Sequence, residues 1–183
     1  MHLTPLPLDS AHTVYGGLLP VSVPFDPLWN LHPVEFPVVR MIGKAMPTPR
    51  WTQAYGRDYR YAGNVARALP VPLLLQPLLA LAQGLDNRIN GMLINWYDGD
   101  LGHYIGKHRD AADGLVAGAP ILTLSLGAPR IFRFRRYRGA GIFDFDTGQY
   151  PVIAFGTEVN RVFSHEVIRG AGRRISVTAR AFR

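Results

Sequence analysis

Residues 172–182 read GRRISVTARAF, and the alternation in this stretch decides what kind of fold surrounds it. Side chains of an extended chain alternate between faces. Arg174, Ser176, Thr178 and Arg180 therefore share one face, and Ile175, Val177 and Ala179 the other. With the apolar face on a core, the polar face meets either solvent, where the arginines are unremarkable, or a pocket. In a pocket the two guanidinium groups stand at either end of one wall. That spacing suits the two ends of a small dicarboxylate, because a guanidinium fork grips a carboxylate through two hydrogen bonds.

Working back along the chain, the runs NGMLINWYD, PILTLSLG, RIFRFRRYR, IFDFD, YPVIAFG and RVFSHEVI are short and rich in Ile, Val, Phe and Tyr, and Gly, Asp and Pro separate them. These are strand signals. Parallel βαβ winding needs a helix between strands, and the intervals leave no room for one. The expectation is a mainly β (α+β) protein with an antiparallel double-sheet or barrel architecture. One helix is expected over about residues 73–83, started by proline and closed by Gly84. Residues 1–45 are proline-rich and read as an extension packed on the core with one or two edge strands. Residues 46–183 read as the domain proper.

A chain of 183 residues favours a single domain, at roughly 150 residues per domain. Apolar residues make up 48% and charged residues 18%, which permits a packed core and argues against disorder. The chain has no cysteine, which removes disulfides, thiolate metal sites and cysteine nucleophiles together and fits a reducing cytoplasm. The net charge of +7 is almost wholly arginine, Lys44 and Lys107 being the only lysines. Such a surface suits a polyanion, although an arginine-rich genome produces the same bias. The most apolar run, around residues 68–85, is broken by Pro70, Pro72 and Pro77, so no membrane association is expected.

The stretch IGKHRDAADG, residues 105–114, places His108 and Asp110 two residues apart. A kinase-type catalytic loop would need Asn five residues after the aspartate, where this chain has Leu115. A metal site needs less. On a strand, residues i and i+2 share a face, and two histidines with one carboxylate form the facial triad of non-haem Fe(II) oxygenases. Of the six histidines, His2, His12 and His32 lie in the irregular N-terminal part, and His103 falls on the opposite face from His108. His165 lies in an apolar strand next to the polar face of residues 174–180 and is the natural third ligand. Singly, each of these residues also reads as a hydrogen-bonded structural residue.

Together, NWYDGDLGHYIGKHRD, LTLSLGAPRIFRFR and FSHEVIRGAGRRISVTAR resemble the AlkB family of Fe(II)/2-oxoglutarate-dependent dioxygenases over about residues 49–182. The resemblance implies a double-stranded β-helix, or jelly roll, with an N-terminal helix and a nucleotide-recognition lid over residues 46–66. It implies Fe(II) on His108, Asp110 and His165. It implies 2-oxoglutarate on Arg174, with Tyr97 and Asn95 hydrogen-bonding and Arg180 near the chelating end, and O2 as the oxidant. Ser176 stands where the family has Asn, and Ala111 and Ala112 follow Asp110 where base-repairing members carry acids; the next acid is Asp113.

For substrate, the resemblance points to Tyr55 and Tyr61 near a flipped base, with Arg50 and Trp51 at the cofactor mouth or the strand backbone. Asp113 stands in for the missing acids. Arg135, in the cluster Arg130, Arg133, Arg135, Arg136 and Arg138, reads as part of a phosphate-tracking ridge or as a solvated strand face. The expected partner is alkylated DNA or RNA, bound by a monomer, with oxidative demethylation releasing formaldehyde, succinate and CO2. Two readings compete with this one: a hydroxylase of the same chemistry acting on a protein or metabolite, and a non-catalytic jelly-roll binding module.

Overall fold

The computed structural model describes residues 1–183 except 42–43, 62–63 and 113, and leaves out the side chains of residues 40, 41, 61 and 64. The chain opens with a hairpin, β1 (Thr4–Pro7) and β2 (Thr13–Gly17), then a short helix α1 (Phe25–Trp29) and a second hairpin, β3 (Val38–Met41) and β4 (Lys44–Pro47). Next come β5 (Trp51–Tyr55), a third hairpin β6 (Tyr59–Tyr61) and β7 (Asn64–Ala66), and the two-residue β8 (Ala68–Leu69). A 3-10 turn (Leu73–Leu75) leads into α2 (Gln76–Leu85). The remaining elements are β9 (Gly91–Asp98), β10 (Ile105–His108), β11 (Ile121–Gly127), β12 (Ile131–Arg136), β13 (Ile142–Asp146), β14 (Val152–Phe155), α3 (Thr157–Val162), β15 (Phe163–Val167) and β16 (Arg173–Arg180).

An eight-stranded sheet, ordered β1-β2-β14-β11-β16-β9-β5-β8, faces a four-stranded sheet, ordered β10-β15-β12-β13. This is a jelly roll with helices on its outer face. Met92, Ile94 and Trp96 of β9, Leu122 and Leu124 of β11, and Ile175, Val177 and Ala179 of β16 pack under Leu28 of α1 and Leu75, Leu78 and Ala82 of the helical segment. The Trp96 indole donates to the Leu28 carbonyl at 3.0 Å and ties α1 to the sheet. Between the sheets a second core gathers Tyr97, Ile121, Phe132, Phe134, Phe155, Phe163 and Val167.

This layering answers the question raised by residues 172–182. The apolar face of β16 lies under the helices, so its polar face points between the sheets. The register extends that face across three strands: Arg174 pairs with Tyr97 and Gly127, Ser176 with Asn95 and Ser125, and Thr178 with Leu93 and Thr123. A wall of hydroxyls, amides and arginines is therefore buried inside an apolar sandwich.

Three sequence expectations are refined. The helix continues through Gly84 to Leu85, because Gly84 has an ordinary helical backbone and the chain turns only at Asp86. The segment over residues 1–45 supplies a hairpin that extends the large sheet beside β14, and also helix α1. Residues 157–162 form α3, a helix too short for periodicity to reveal, and it takes in Arg161 and Val162, which the RVFSHEVI run had put at the start of a strand.

Candidate active site

The three expected metal ligands meet at one end of the sandwich. His108 closes β10 and His165 lies directly opposite it on β15, the two being antiparallel partners. Asp110 follows two residues after His108. Both imidazole Nε2 atoms lie 3.8 Å from Asp110 Oδ1. One ligand atom from each residue lies within 4.8 Å of the other two.

The surroundings prepare each ligand. His108 Nδ1 lies 2.9 Å from the Gly106 carbonyl, which can only accept, so the proton sits on Nδ1 and the Nε2 lone pair is free. His165 is held between Phe132, stacked at 5.5 Å, and the edge of Phe155 at 5.2 Å. Burial, aided by the positive side of His108, pushes its imidazole down to about 3. Burial also lowers His108, against the pull of the Asp110 carboxylate and the Gly106 carbonyl. Burial would raise the Asp110 carboxyl, but Arg180 and the two imidazoles overcome it and hold the group well below the usual carboxylate range. At neutral pH the site therefore presents one carboxylate and two neutral imidazoles, the protonation states a bound cation requires.

Arg180 donates through Nε and Nη2 to Asp110 Oδ2 at 2.9 and 2.7 Å, and the Tyr59 hydroxyl reaches Oδ1 at 3.2 Å. The backbone of Asp110 is met by Asn160, a residue with no distinguishing mark in the sequence.

The cavity beside these groups measures about 380 Å³ and is lined by Arg50, Asn95, Tyr97, Ser176, Thr178 and Arg180 as well as the three ligands. Arg174 lies one layer deeper, wholly buried, with its guanidinium 5.1 Å from the Tyr97 ring. Its Nη2 donates to Ser125 Oγ at 2.9 Å, whereas Nε and Nη1 have no partner among the described residues. A buried guanidinium with unmet donors costs several kcal/mol of folding stability unless an anion completes it. Arg180 Nη1 is open in the same way. A compact triad of borderline ligands and an incomplete anion site at the far end of the facing wall fit a metal ion with a carboxylate-bearing co-substrate.

Other expected site residues are placed differently. Arg50 lines the cavity and donates to Asn95 Oδ1 at 2.8 Å; Thr52 donates to the same oxygen. Trp51 lies outside the cavity, stacked on His32 at 4.3 Å and Phe36 at 4.9 Å, because the β5 alternation that sends Arg50 and Thr52 inward sends Trp51 outward. Tyr55 is buried in the core under the helices. Arg135 is on the outer side of the small sheet, paired with Glu166, as Arg133 is with Asp144. The Tyr61 side chain and Asp113 lie outside the described residues. Tyr59, Ser125, Thr123 and Asn160 were missed. The alternation of Thr123 and Ser125 with Leu122 and Leu124 is the same signal that marked β16.

A two-histidine, one-carboxylate triad at the mouth of a jelly roll, with buried arginines on the facing wall, defines a non-haem oxygenase of the 2-oxoglutarate type. Residues 32–180 match the 2OG-Fe(II) oxygenase superfamily. The chain belongs to that superfamily. Its similar relatives include the protein named DNA oxidative demethylase ALKBH2 in Homo sapiens, 30% identical over 149 residues, covering 76% of this chain and 56% of that protein. The Mus musculus protein of that name is 33% identical over 107 residues, covering 56% and 44%. The chain thus spans about half the length of the curated relatives it matches. Among solved structures, OsALKBH1 superposes with a TM-score of 0.54 at 16% identity, covering 85% of this chain and 89% of that one. An oxidoreductase of the 2OG-Fe(II) oxygenase family from Burkholderia pseudomallei gives 0.54 at 19% identity, covering 85% and 75%. These two likenesses concern the fold. The domain is that of a dioxygenase, and Fe(II), 2-oxoglutarate and O2 are the cofactors its family uses.

Proposed function

We propose that this protein oxidatively removes N-alkyl groups from nucleobases in DNA or RNA. In this reading His108, Asp110 and His165 hold Fe(II), and Arg174 with Tyr97, Asn95 and Ser176 holds 2-oxoglutarate. When bound, that pair with O2 supplies hydroxylation of an N-methyl carbon, the methyl leaving as formaldehyde and the co-substrate as succinate and CO2. The chain's own contribution is placement. Arg180 and Tyr59 fix both carboxylate oxygens of Asp110. Phe132 and Phe155 fix the His165 ring and exclude water from its side of the metal.

The observation that carries the reading is that the triad, with its histidines on the small sheet, faces the buried wall of the large sheet that holds the incomplete Arg174 site. The nucleic-acid part rests on the names of the relatives and on charge. Arg109, Arg138 and Arg161 surround Tyr137 in a surface groove, and Arg109 also lines the cavity. None of the three has a carboxylate partner among the described residues, whereas Arg133, Arg135, Arg136 and Arg173 do. A ring of unpaired guanidinium groups continuous with the cavity mouth supports a phosphodiester strand over a neutral metabolite. Among the described residues, no helix is long and apolar enough to cross a membrane. The lack of cysteine supports a reducing compartment such as the cytoplasm.

The test is succinate formation from 2-oxoglutarate with Fe(II) and ascorbate, comparing methylated and unmethylated oligonucleotides and weighing the strands from the same reactions. Succinate that rises only with methylated strands, with one methyl mass lost per event, is expected. Succinate independent of the strand would keep the dioxygenase and transfer the search to proteins and metabolites.

A further inference from the structure

We propose that Asn160 is a positioning residue for the metal centre, holding the backbone of Asp110 where the sheet no longer does; this rests on the metal reading above. β10 ends at His108, and residues 109–112 belong to no strand, so the carboxylate ligand sits just past the last ladder hydrogen bond. One side chain takes the place of the ladder. The Asp110 N–H donates to Asn160 Oδ1 at 2.9 Å, and Asn160 Nδ2 donates to the Asp110 carbonyl at 3.0 Å. Only one orientation of the amide satisfies both bonds, so the contact is a two-point clamp.

Asn160 is 3% exposed, so water does not compete for these bonds. A third tie runs alongside, from Arg109 Nη1 to the Arg161 carbonyl at 3.0 Å. Helix α3, which carries Asn160, runs straight into β15, which carries His165. Residues 157–167 thus provide one ligand directly and fix the main chain of another. With Arg180 and Tyr59 holding the carboxylate head and Asn160 holding the backbone, Asp110 is fixed at both ends of its side chain. Partners that orient a ligand in this way typically change metal affinity by about 10- to 100-fold when removed.

The test titrates the metal-free protein with Mn(II), reading free ion by electron paramagnetic resonance, and records the visible absorption of the Co(II)-saturated protein. The variants are Asn160→Ala, Asn160→Asp and His108→Ala, each melted in parallel. Asn160→Asp keeps the size and the acceptor for the Asp110 N–H but turns an oxygen toward the Asp110 carbonyl. It carries the same test if Asn160→Ala does not fold. The expected result is Mn(II) affinity about 10-fold or more weaker in both Asn160 variants, with a Co(II) band displaced from wild type at saturation. Unchanged affinity and an unchanged Co(II) band, with only a lower melting temperature, would make Asn160 a structural staple and overturn the proposal. Equal binding by wild type and His108→Ala would instead overturn the metal reading itself, so the two failures are separable.

Discussion

Arg174 is the residue on which folding and binding pull hardest in opposite directions. It is wholly buried, with two donors unmet among the described residues, so the ligand-free protein carries its charge at a loss. Arg174→Met, close in volume and uncharged, is expected to leave the melting temperature of the ligand-free protein unchanged or higher. The same change should weaken 2-oxoglutarate binding by about 30-fold or more, the lower end of what losing one partner of a buried charge pair costs. Calorimetric titration beside thermal melts checks both parts; a lower melting temperature with unaltered affinity would make Arg174 a structural residue. His103 gives a second expectation, this one in pH. Its Nδ1 accepts the Asp98 N–H at 3.0 Å, and burial, helped by the Arg50 charge and opposed by Asp98, lowers its pKa in the folded protein. The unfolded chain therefore binds the extra proton first, and the stabilisation is present above the ordinary histidine value near 6.5 and shrinks below it. The stability difference between wild type and His103→Asn should narrow from pH 7 to pH 5 in urea unfolding. A constant difference would show that folding leaves the proton affinity of His103 unshifted.

At the scale of elements, two glycines that look alike in sequence have opposite roles. Gly84 sits inside α2 with nothing within 4 Å of a built Cβ, so Gly84→Ala should add about 0.5–1 kcal/mol to stability by removing backbone freedom from the unfolded chain. A Cβ on Gly99, by contrast, would fall 2.5 Å from the Gly172 nitrogen and 2.6 Å from the Gly170 oxygen, in the turn that leads into β16. Gly99→Ala should cost about 1–3 kcal/mol as that turn is pushed away. Urea unfolding of the pair reads both signs, and equal shifts would undo the argument. The same contrast explains what was legible in the sequence. Strand β16 declares itself through alternation, and with it came its polar face and Arg174; β9 and β11 were readable as strands from their composition, but Thr123 and Ser125, which extend that face, were passed over. His165 was readable because it stands alone in an apolar run beside that face. Asn160 and α3 were not: a six-residue helix has too few turns to show a period, and an amide clamp has no composition signature. Trp51 and Tyr55 were misplaced because an aromatic residue in a strand serves a core or a stacked cluster as readily as a base.

For the whole molecule, the net charge of +7 matters less than where it is left uncompensated. The sequence draws the eye to RIFRFRRYR, yet Arg133, Arg135 and Arg136 each have a carboxylate partner, and their field is largely cancelled at short range. The groove around Tyr137, itself 55% exposed, is different: Arg109 lies 4.0 Å over its ring, and beside the paired Arg136 it is lined by Arg138 and Arg161, which, like Arg109, have no carboxylate partner among the described residues. If a strand follows this groove to the cavity, its phosphates displace counterions there, and log affinity should fall linearly with log salt. Each single-strand phosphate contact contributes about 0.7 to that slope. Replacing Arg109, Arg138 and Arg161 by Gln should therefore flatten the slope by about 2, with weaker binding at low salt. Replacing Arg133 and Arg135 by Gln should leave it nearly unchanged, because those groups already face Asp144 and Glu166. Fluorescence anisotropy of a labelled oligonucleotide across a salt series measures both slopes. If the paired arginines changed the slope and the groove did not, the strand would have to cross the outer face of the small sheet. It would then reach the cavity from the other side of β12.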